Sequence, residues 1–221
     1  MRKPTANLTA SRYEFAFTSL KSLASSLPSK IIFDVGPGDG RMRYIESAGF
    51  SWRGFDQTAW GDVQRWDLTE PCPTPDASVG AVLLLDVIEH LLNPGLALKN
   101  IATVLQPGGR LILTTPNPRW SASRVHNLFR GNLSGFTQRD LDDNHHVFTP
   151  WPHIVEKMLH DARLVIDDYV TLDGKTRLLS RPGTLFLPAR YILNVVLIVM
   201  EKLDPCSCGM SYGLIARKLK P

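Results

Sequence analysis

Gly36, Gly38 and Gly40 alternate with other residues directly after the apolar run Ile31-Ile32-Phe33-Asp34-Val35. A strand that turns sharply into a helix while its backbone passes close to a ligand needs such a loop, because side chains would obstruct the approach. The chemistry suggested is capture of a nucleotide-like ligand by main-chain groups. A dinucleotide fingerprint would carry glycine or alanine at position 41, and Arg41 stands there instead. Asp56 follows about one βα unit later, with Gln57 beside it. That is the place for a carboxylate that accepts from both hydroxyls of a ribose. Asp67-Leu68 offers an acceptor for an adenine amine and an apolar contact for its ring. Taken singly, each feature also has a plain reading: a tight turn, an acid capping a surface segment, a turn aspartate. Proton transfer near neutral pH points to histidine, and the candidates are His90, His145 and His146.

Strands and helices must bring these residues together, and the apolar pattern indicates which. Tyr13, Phe17, Leu20, Leu23, Ala24 and Leu27 recur at helical spacing until Pro28. Residues 31–35, 52–56, 79–85, 110–115, 164–170 and 212–218 read as strands, and 79–85 is apolar throughout, as in a strand covered on both faces. Arg41 to Ala48, the stretch opened by Asn93-Pro94, and the stretch opened by Thr149-Pro150 read as helices. Strands alternating with helices predict an α/β fold with a mostly parallel sheet and helices on both faces. In such sheets ligands bind outside the carboxyl ends of the strands, where the glycine loop, Asp56, Asp67, Asp86 and Asn117 all fall. Residues 116–148 and 171–210 read as irregular insertions.

The composition fits one domain over residues 1–221, with residues 1–28 as a helical cap. The chain is 43% hydrophobic and 21% charged, enough to bury a full core. The net charge of +4 sits largely at the ends, in Arg2, Lys3, Arg217, Lys218 and Lys220, and reads as solvated tails rather than a nucleic-acid or membrane patch. The cysteines, Cys72, Cys206 and Cys208, read as reduced thiols of a cytoplasmic protein. Cys206-Ser207-Cys208 lacks a second pair at zinc spacing. Met1 to Ala10 is polar and carries no signal-peptide core.

Four segments in order resemble the class I S-adenosylmethionine-dependent methyltransferases. Asp34-Val35-Gly36-Pro37-Gly38-Asp39-Gly40 looks like their first motif. Leu84-Leu85-Asp86-Val87-Ile88-Glu89-His90-Leu91 resembles the segment after strand four. Leu105-Gln106-Pro107-Gly108-Gly109-Arg110-Leu111 is similar to the turn before strand five, and Thr115-Pro116-Asn117 to the loop after it. Order and separation resemble the small-molecule branch that includes the ubiquinone-biosynthesis O-methyltransferases, over roughly residues 30 to 170. The resemblance implies a Rossmann-like, seven-stranded sheet whose last strand is antiparallel, with S-adenosyl-L-methionine as cofactor. It implies that Asp34 and Gly36 face the methionine end and that Gly38 forms the bend. Asp56 and Gln57 would lie at the ribose, Asp67 and Leu68 at the adenine, and Asp86 at the sulfonium side. Pro37, where cysteine or alanine is usual, and Gly40 contribute backbone. It also favours His90 as general base, because the histidine after the Asp-x-x-Glu segment borders the active site in the related enzymes. Packing against backbone is the plain alternative for His90, and a structural loop role for His145-His146. No metal is expected; the nearest grouping is Asp142, Asp143 and His145.

The expected activity is methylation of a small molecule at oxygen, and the acceptor is the expected partner. An RNA or protein methyltransferase is the nearest alternative. The Asn/Asp-Pro-Pro-aromatic motif of amino-methylating enzymes is missing after strand four, and no added RNA-binding module is evident, so nucleic acid is not the expected partner. A non-catalytic or membrane-associated protein on the same fold is the alternative from another class. Residues 185–200 carry the apolar stretch Tyr191 to Met200, too short to span a bilayer. It reads as a buried helix, a homodimer interface or a lid, in preference to peripheral membrane contact.

Overall fold

Apolar runs that must be covered on both faces become the inner strands of one sheet. The computed structural model describes residues 5–6, 10–174 and 187–220. Its strands are β1 (Thr5–Ala6), β2 (Ile31–Val35), β3 (Ser51–Asp56), β4 (Gln64–Arg65), β5 (Val79–Leu85), β6 (Leu105–Pro116), β7 (Leu164–Leu172) and β8 (Ser211–Lys218). They hydrogen-bond in the order β1-β7-β8-β6-β5-β2-β3-β4. Strand β8 is antiparallel to β6 and β7, and all other pairs are parallel. Strands β2 to β8 are thus the expected seven, with the last antiparallel. The two-residue β1 adds an eighth at the edge, beside β7.

Helices cover both faces. Alternation along β5 sends Val82 and Leu84 to one face and Ala81, Leu83 and Leu85 to the other. On the first face, α2 (Pro94–Val104) and α5 (Pro152–Asp161) bury Leu98, Ile101, Val155 and Leu159. On the second, α1 (Arg12–Leu23) and a 3₁₀ helix over Arg41–Ala48 bury Phe15, Leu20, Met42 and Ile45.

Several boundaries differ from the sequence reading. Helix α1 ends at Leu23, a turn before Pro28. The helix after the glycine loop is 3₁₀, and Gly49 closes it at φ +83°. Helix α5 starts at Pro152 with Trp151 as N-cap, because a second proline serves as the first helical residue there. The 116–148 insertion contains α3 (Ser121–Arg130) and α4 (Gln138–Asn144), and 171–210 contains α6 (Leu187–Leu203). The buried-helix reading of Tyr191 to Met200 does not hold, since α6 turns six large apolar side chains to solvent. Among the described residues no helix is long and apolar enough to cross a membrane.

The strand order decides where the candidate residues meet. Strands β4, β3, β2, β5 and β6 run parallel and end on one edge, so Asp67, Asp56, Gly36, Asp86 and Thr115 line that edge in this order. Helices α3 and α6 follow strands that end there, and β8 begins there.

Candidate functional site along the carboxyl edge

The glycine loop is anchored on both sides. The Gly36 N–H donates to the Phe55 carbonyl at 2.8 Å, next to Asp56. Gly36, Gly38 and Gly40 have φ of +66°, +57° and +71°, a region where side chains are strained. At Gly36 space is also lacking: a Cβ there would sit 2.6 Å from Cγ2 of Val87. The loop therefore lies flat between β3 and the segment after β5, and Pro37 contributes main chain to it. This is a cradle shaped for backbone contact, and the glycines fit the implied cofactor.

Asp34 is 1% exposed, and its Oδ2 accepts from the Trp52 indole N–H at 2.9 Å. Burial pushes its carboxyl up to about 6, against the hydrogen bond, which lowers it. In this structure Asp34 joins β2 to β3. Asp56 is half-buried and its carboxylate accepts from the Gln57 N–H at 2.7 Å, leaving acceptor capacity toward solvent. Asp67 accepts from the Thr69 N–H at 2.8 Å and from its hydroxyl at 2.7 Å. Those bonds, backbone first, and a weaker one from the Gln57 side chain hold Asp67 below the usual carboxylate range. Leu68 is a core residue, 5% exposed, and keeps little side-chain surface for a ligand.

Asp86 has φ +53°, a left-handed backbone that aspartate adopts more readily than most residues other than glycine. Its N–H donates to the Thr114 carbonyl at 2.9 Å, and its Oδ1 accepts from the Thr114 hydroxyl at 2.8 Å. Its Oδ2 pairs with Arg12, at the start of α1. Arg12 was missed in the sequence reading, where nothing marks the first turn of α1 as reaching β5. The Arg12 and Arg41 guanidinium groups each lie 4.9 Å from the Tyr13 ring centre, so α1 and the glycine loop meet across one aromatic ring.

The histidines divide. The N–H groups of Val147 and Phe148 both donate to the Glu89 carbonyl at 3.0 Å, pulling the 144–148 loop against the turn after β5. His146 thereby reaches His90, with ring centres 4.9 Å apart. His146 donates from Nδ1 to the Gly135 carbonyl at 2.5 Å. Partial desolvation and then the neighbouring His146 hold His90 below the ordinary histidine pKa, against hydrogen bonds to the main chain of Asn144 and His145, which raise it. His145 instead caps α4 at φ +56° and is exposed. Asp142, Asp143 and His145 do not form a ligand group. Among the described residues that group is Glu89, His90 and His146, whose candidate ligand atoms all lie within 4.8 Å of one another. Asn117 is buried and structural, its amide donating to the carbonyls of Cys206, Cys208 and Gly209.

Glu89 is 1% exposed and accepts from the Thr115 hydroxyl at 2.8 Å. Burial pushes it up to about 8 from 4.5, and the like charge of Asp86 adds to the rise. A carboxyl whose folded pKa is raised binds more protons folded than unfolded, so its contribution to stability is full at low pH and is lost as pH climbs through 4.5 to 8. Asp34 acts in the same direction, but only up to about pH 6. Glu89→Gln should therefore flatten the decline in thermal midpoint between pH 6 and pH 8, and the variant should gain on the parent across that interval. Parallel midpoint curves would show that Glu89 is not held protonated by burial.

A cavity of about 640 Å³ opens on the same edge, lined by Arg124, Asn127, Leu128, Leu133, Phe136 and Trp151 among others. Phe136 connects it to the histidines, its ring centre 5.6 Å from that of His146. A cavity of about 360 Å³ on the opposite edge, beside Lys99, Arg163 and Lys218, holds none of these residues.

Residues 9–162 match the family model described as "Methyltransferase domain". A Mycolicibacterium smegmatis protein described as a "probable S-adenosylmethionine-dependent methyltransferase" is 41% identical over 56 residues. That match spans 25% of this chain and 21% of the relative's length. A SAM-dependent methyltransferase from Archaeoglobus fulgidus superposes with a TM-score of 0.63 at 18% identity, covering 95% of each chain. The YcgJ protein of Bacillus subtilis gives 0.60 at 16% identity, covering 94% of this chain and 99% of its own. The [4+2]-cyclase SpnF gives 0.57 at 18% identity, covering 93% and 82%. At these identities the structural likenesses establish a shared fold, and the cyclase among them shows that the fold alone does not fix a reaction.

Proposed function

Because the chain belongs to the methyltransferase-domain family, whose model spans residues 9–162, we propose that it transfers a methyl group from S-adenosylmethionine to a hydroxyl of a small, largely apolar acceptor. The observation that carries this reading is the order of side chains along the carboxyl edge, set by the strand order. From Asp67 to Asp86 is three strand spacings, about 14 Å, a length suited to a nucleoside bearing an amino-acid tail.

Asp67 lies at the adenine end, Asp56 with Gln57 at the ribose, and the loop from Gly36 to Gly40 at the aminoacyl end. Arg12 and Asp86 close that end, and Arg12 can pair with a carboxylate there in place of Asp86. Asp34 supports the site from beneath through Trp52. When bound, S-adenosylmethionine supplies an electrophilic methyl on a sulfonium. The protein must then align the acceptor and keep water out. His90, beside the Asp86 turn and held below the ordinary histidine pKa, takes the hydroxyl proton. His146 sets its surroundings, and Phe136 and Trp151 give the acceptor flat apolar walls.

The test is transfer of isotope-labelled methyl from S-adenosylmethionine to a panel of hydroxylated aromatic and amphiphilic compounds, with RNA and peptides as controls. Label on oxygen in the small-molecule arm supports the reading. Label only on RNA or peptide replaces it with the macromolecular alternative. A second reading follows from the Glu89-His90-His146 group: a divalent cation held by these three would polarise the hydroxyl in place of proton removal by His90. His146 fits, since its Nδ1–H is already committed to a carbonyl, as ligand histidines usually are. Loss of turnover on chelation, with return on adding magnesium or zinc, would select that route.

A further inference from the structure

Helix α6 is apolar on its outer as well as its inner face, unlike an ordinary amphipathic surface helix. Its inner face carries Leu193, Leu197, Ile198 and Met200 together with Asn194 and Glu201, and Glu201 accepts from the Ser121 hydroxyl of α3 at 2.7 Å. Its outer face carries Tyr191, Ile192, Val195, Val196, Val199 and Leu203, between 42% and 82% exposed. At 100° per residue these six fall within an arc of about 140°. A contiguous apolar stripe left facing outward on a helix whose inner face is already packed is the pattern of a helix whose outer neighbour is not water. Neighbouring α3 follows suit, with Leu128 and Phe129 at least three-quarters exposed.

Charge selects the occupant. Exposed Lys202 lies on the same stripe near its end, and exposed Arg130 follows Phe129. The acids at this end are committed: Asp204 pairs with Arg119 and Arg124, and Glu201 with Ser121. Cations beside an apolar stripe, with tyrosine at its far end, match the headgroup boundary of an anionic bilayer, where a lysine stem lies along apolar surface and its ammonium reaches phosphate. A second copy packed across a two-fold axis would bury the same stripe but offer its cations no counter-charge, since the stripe carries no acid. We propose that α6, with the end of α3, docks flat on an anionic phospholipid surface and turns the carboxyl edge of the sheet toward it. Leu128 also lines the 640 Å³ cavity, so an apolar acceptor would have a short path from lipid.

The full chain is mixed with sedimentable vesicles of phosphatidylcholine alone and of phosphatidylcholine with phosphatidylglycerol. The expected result is about tenfold or stronger preference for the anionic vesicles. Ile192→Asp with Val196→Asp should abolish binding to both, with circular dichroism and S-adenosylmethionine affinity unchanged, because both side chains face solvent. Lys202→Glu with Arg130→Glu should remove only the anionic preference. No vesicle binding by the parent chain, or binding that survives Ile192→Asp/Val196→Asp, would overturn the proposal. So would a solution dimer that the same double variant splits without any lipid effect, which would assign the stripe to a second copy. None of these readings depends on methyl transfer.

Discussion

Replacing Asp56 with alanine is expected to weaken S-adenosylmethionine binding by about 30- to 100-fold, with the fold retained. Two hydrogen bonds from ribose hydroxyls to one carboxylate are worth together about 2 to 3 kcal/mol net, and 1.4 kcal/mol is tenfold. The structural cost is small. Asp56 is half-buried, its carboxylate accepts from the Gln57 N–H, and its main chain, which accepts from Trp66, is untouched by the substitution. A lost surface hydrogen bond of about 1 kcal/mol lowers the midpoint of a chain this size by only a few degrees. Asp56→Asn, which keeps one acceptor oxygen, should fall between parent and alanine. Calorimetric titration at one pH checks all three. Equal affinities would mean that the ribose is held elsewhere on the edge, and the assignment of Asp67 would have to move with it.

The second large effect concerns His90. Alanine there should lower turnover by about 10²- to 10⁴-fold, the range for loss of a positioned general base, while S-adenosylmethionine affinity stays unchanged. The pH profile supplies the sign. A base must be neutral to accept a proton, and His90 is held below the ordinary histidine value by desolvation and by His146. Parent activity should therefore fall only as pH drops below about 6.5, and the acidic limb should vanish in His90→Ala. His146→Ala removes one of the two effects that depress His90, so its acidic limb should shift upward. Undiminished turnover in His90→Ala would dispose of the base assignment.

The contrast between these residues shows what was legible in the sequence. The glycine loop and the edge acids could be read early because backbone geometry demands them. Glycine is strongly favoured at the φ values of 36, 38 and 40, and a ligand at strand ends restricts where an acid is useful. The parallel sheet was legible for a similar reason, since strands buried on both faces, such as 79–85, must be apolar throughout. What escaped depends on contacts distant in sequence. Arg12 reaches Asp86 across 74 positions. His146 was separated from His145 only by the two bonds that tie the 147–148 main chain to Glu89. Glu89 sat inside a recognised segment with no role, because its burial is set by β6 and the 144–148 loop together. The apolar stretch of α6 was legible as apolar but not as outward-facing, since its inner face is fixed by Ser121 and the loop after β6.

The glycine loop, with Gly36 packed against Val87 and bonded to β3, remains the centre of the account, and one titration tests it most directly. S-adenosylmethionine and S-adenosylhomocysteine are each titrated into the full chain by calorimetry, with NAD as control. A single site of micromolar affinity for both sulfur ligands, with no saturable heat from NAD, is the expected result. No binding of either sulfur ligand at millimolar concentration would contradict it.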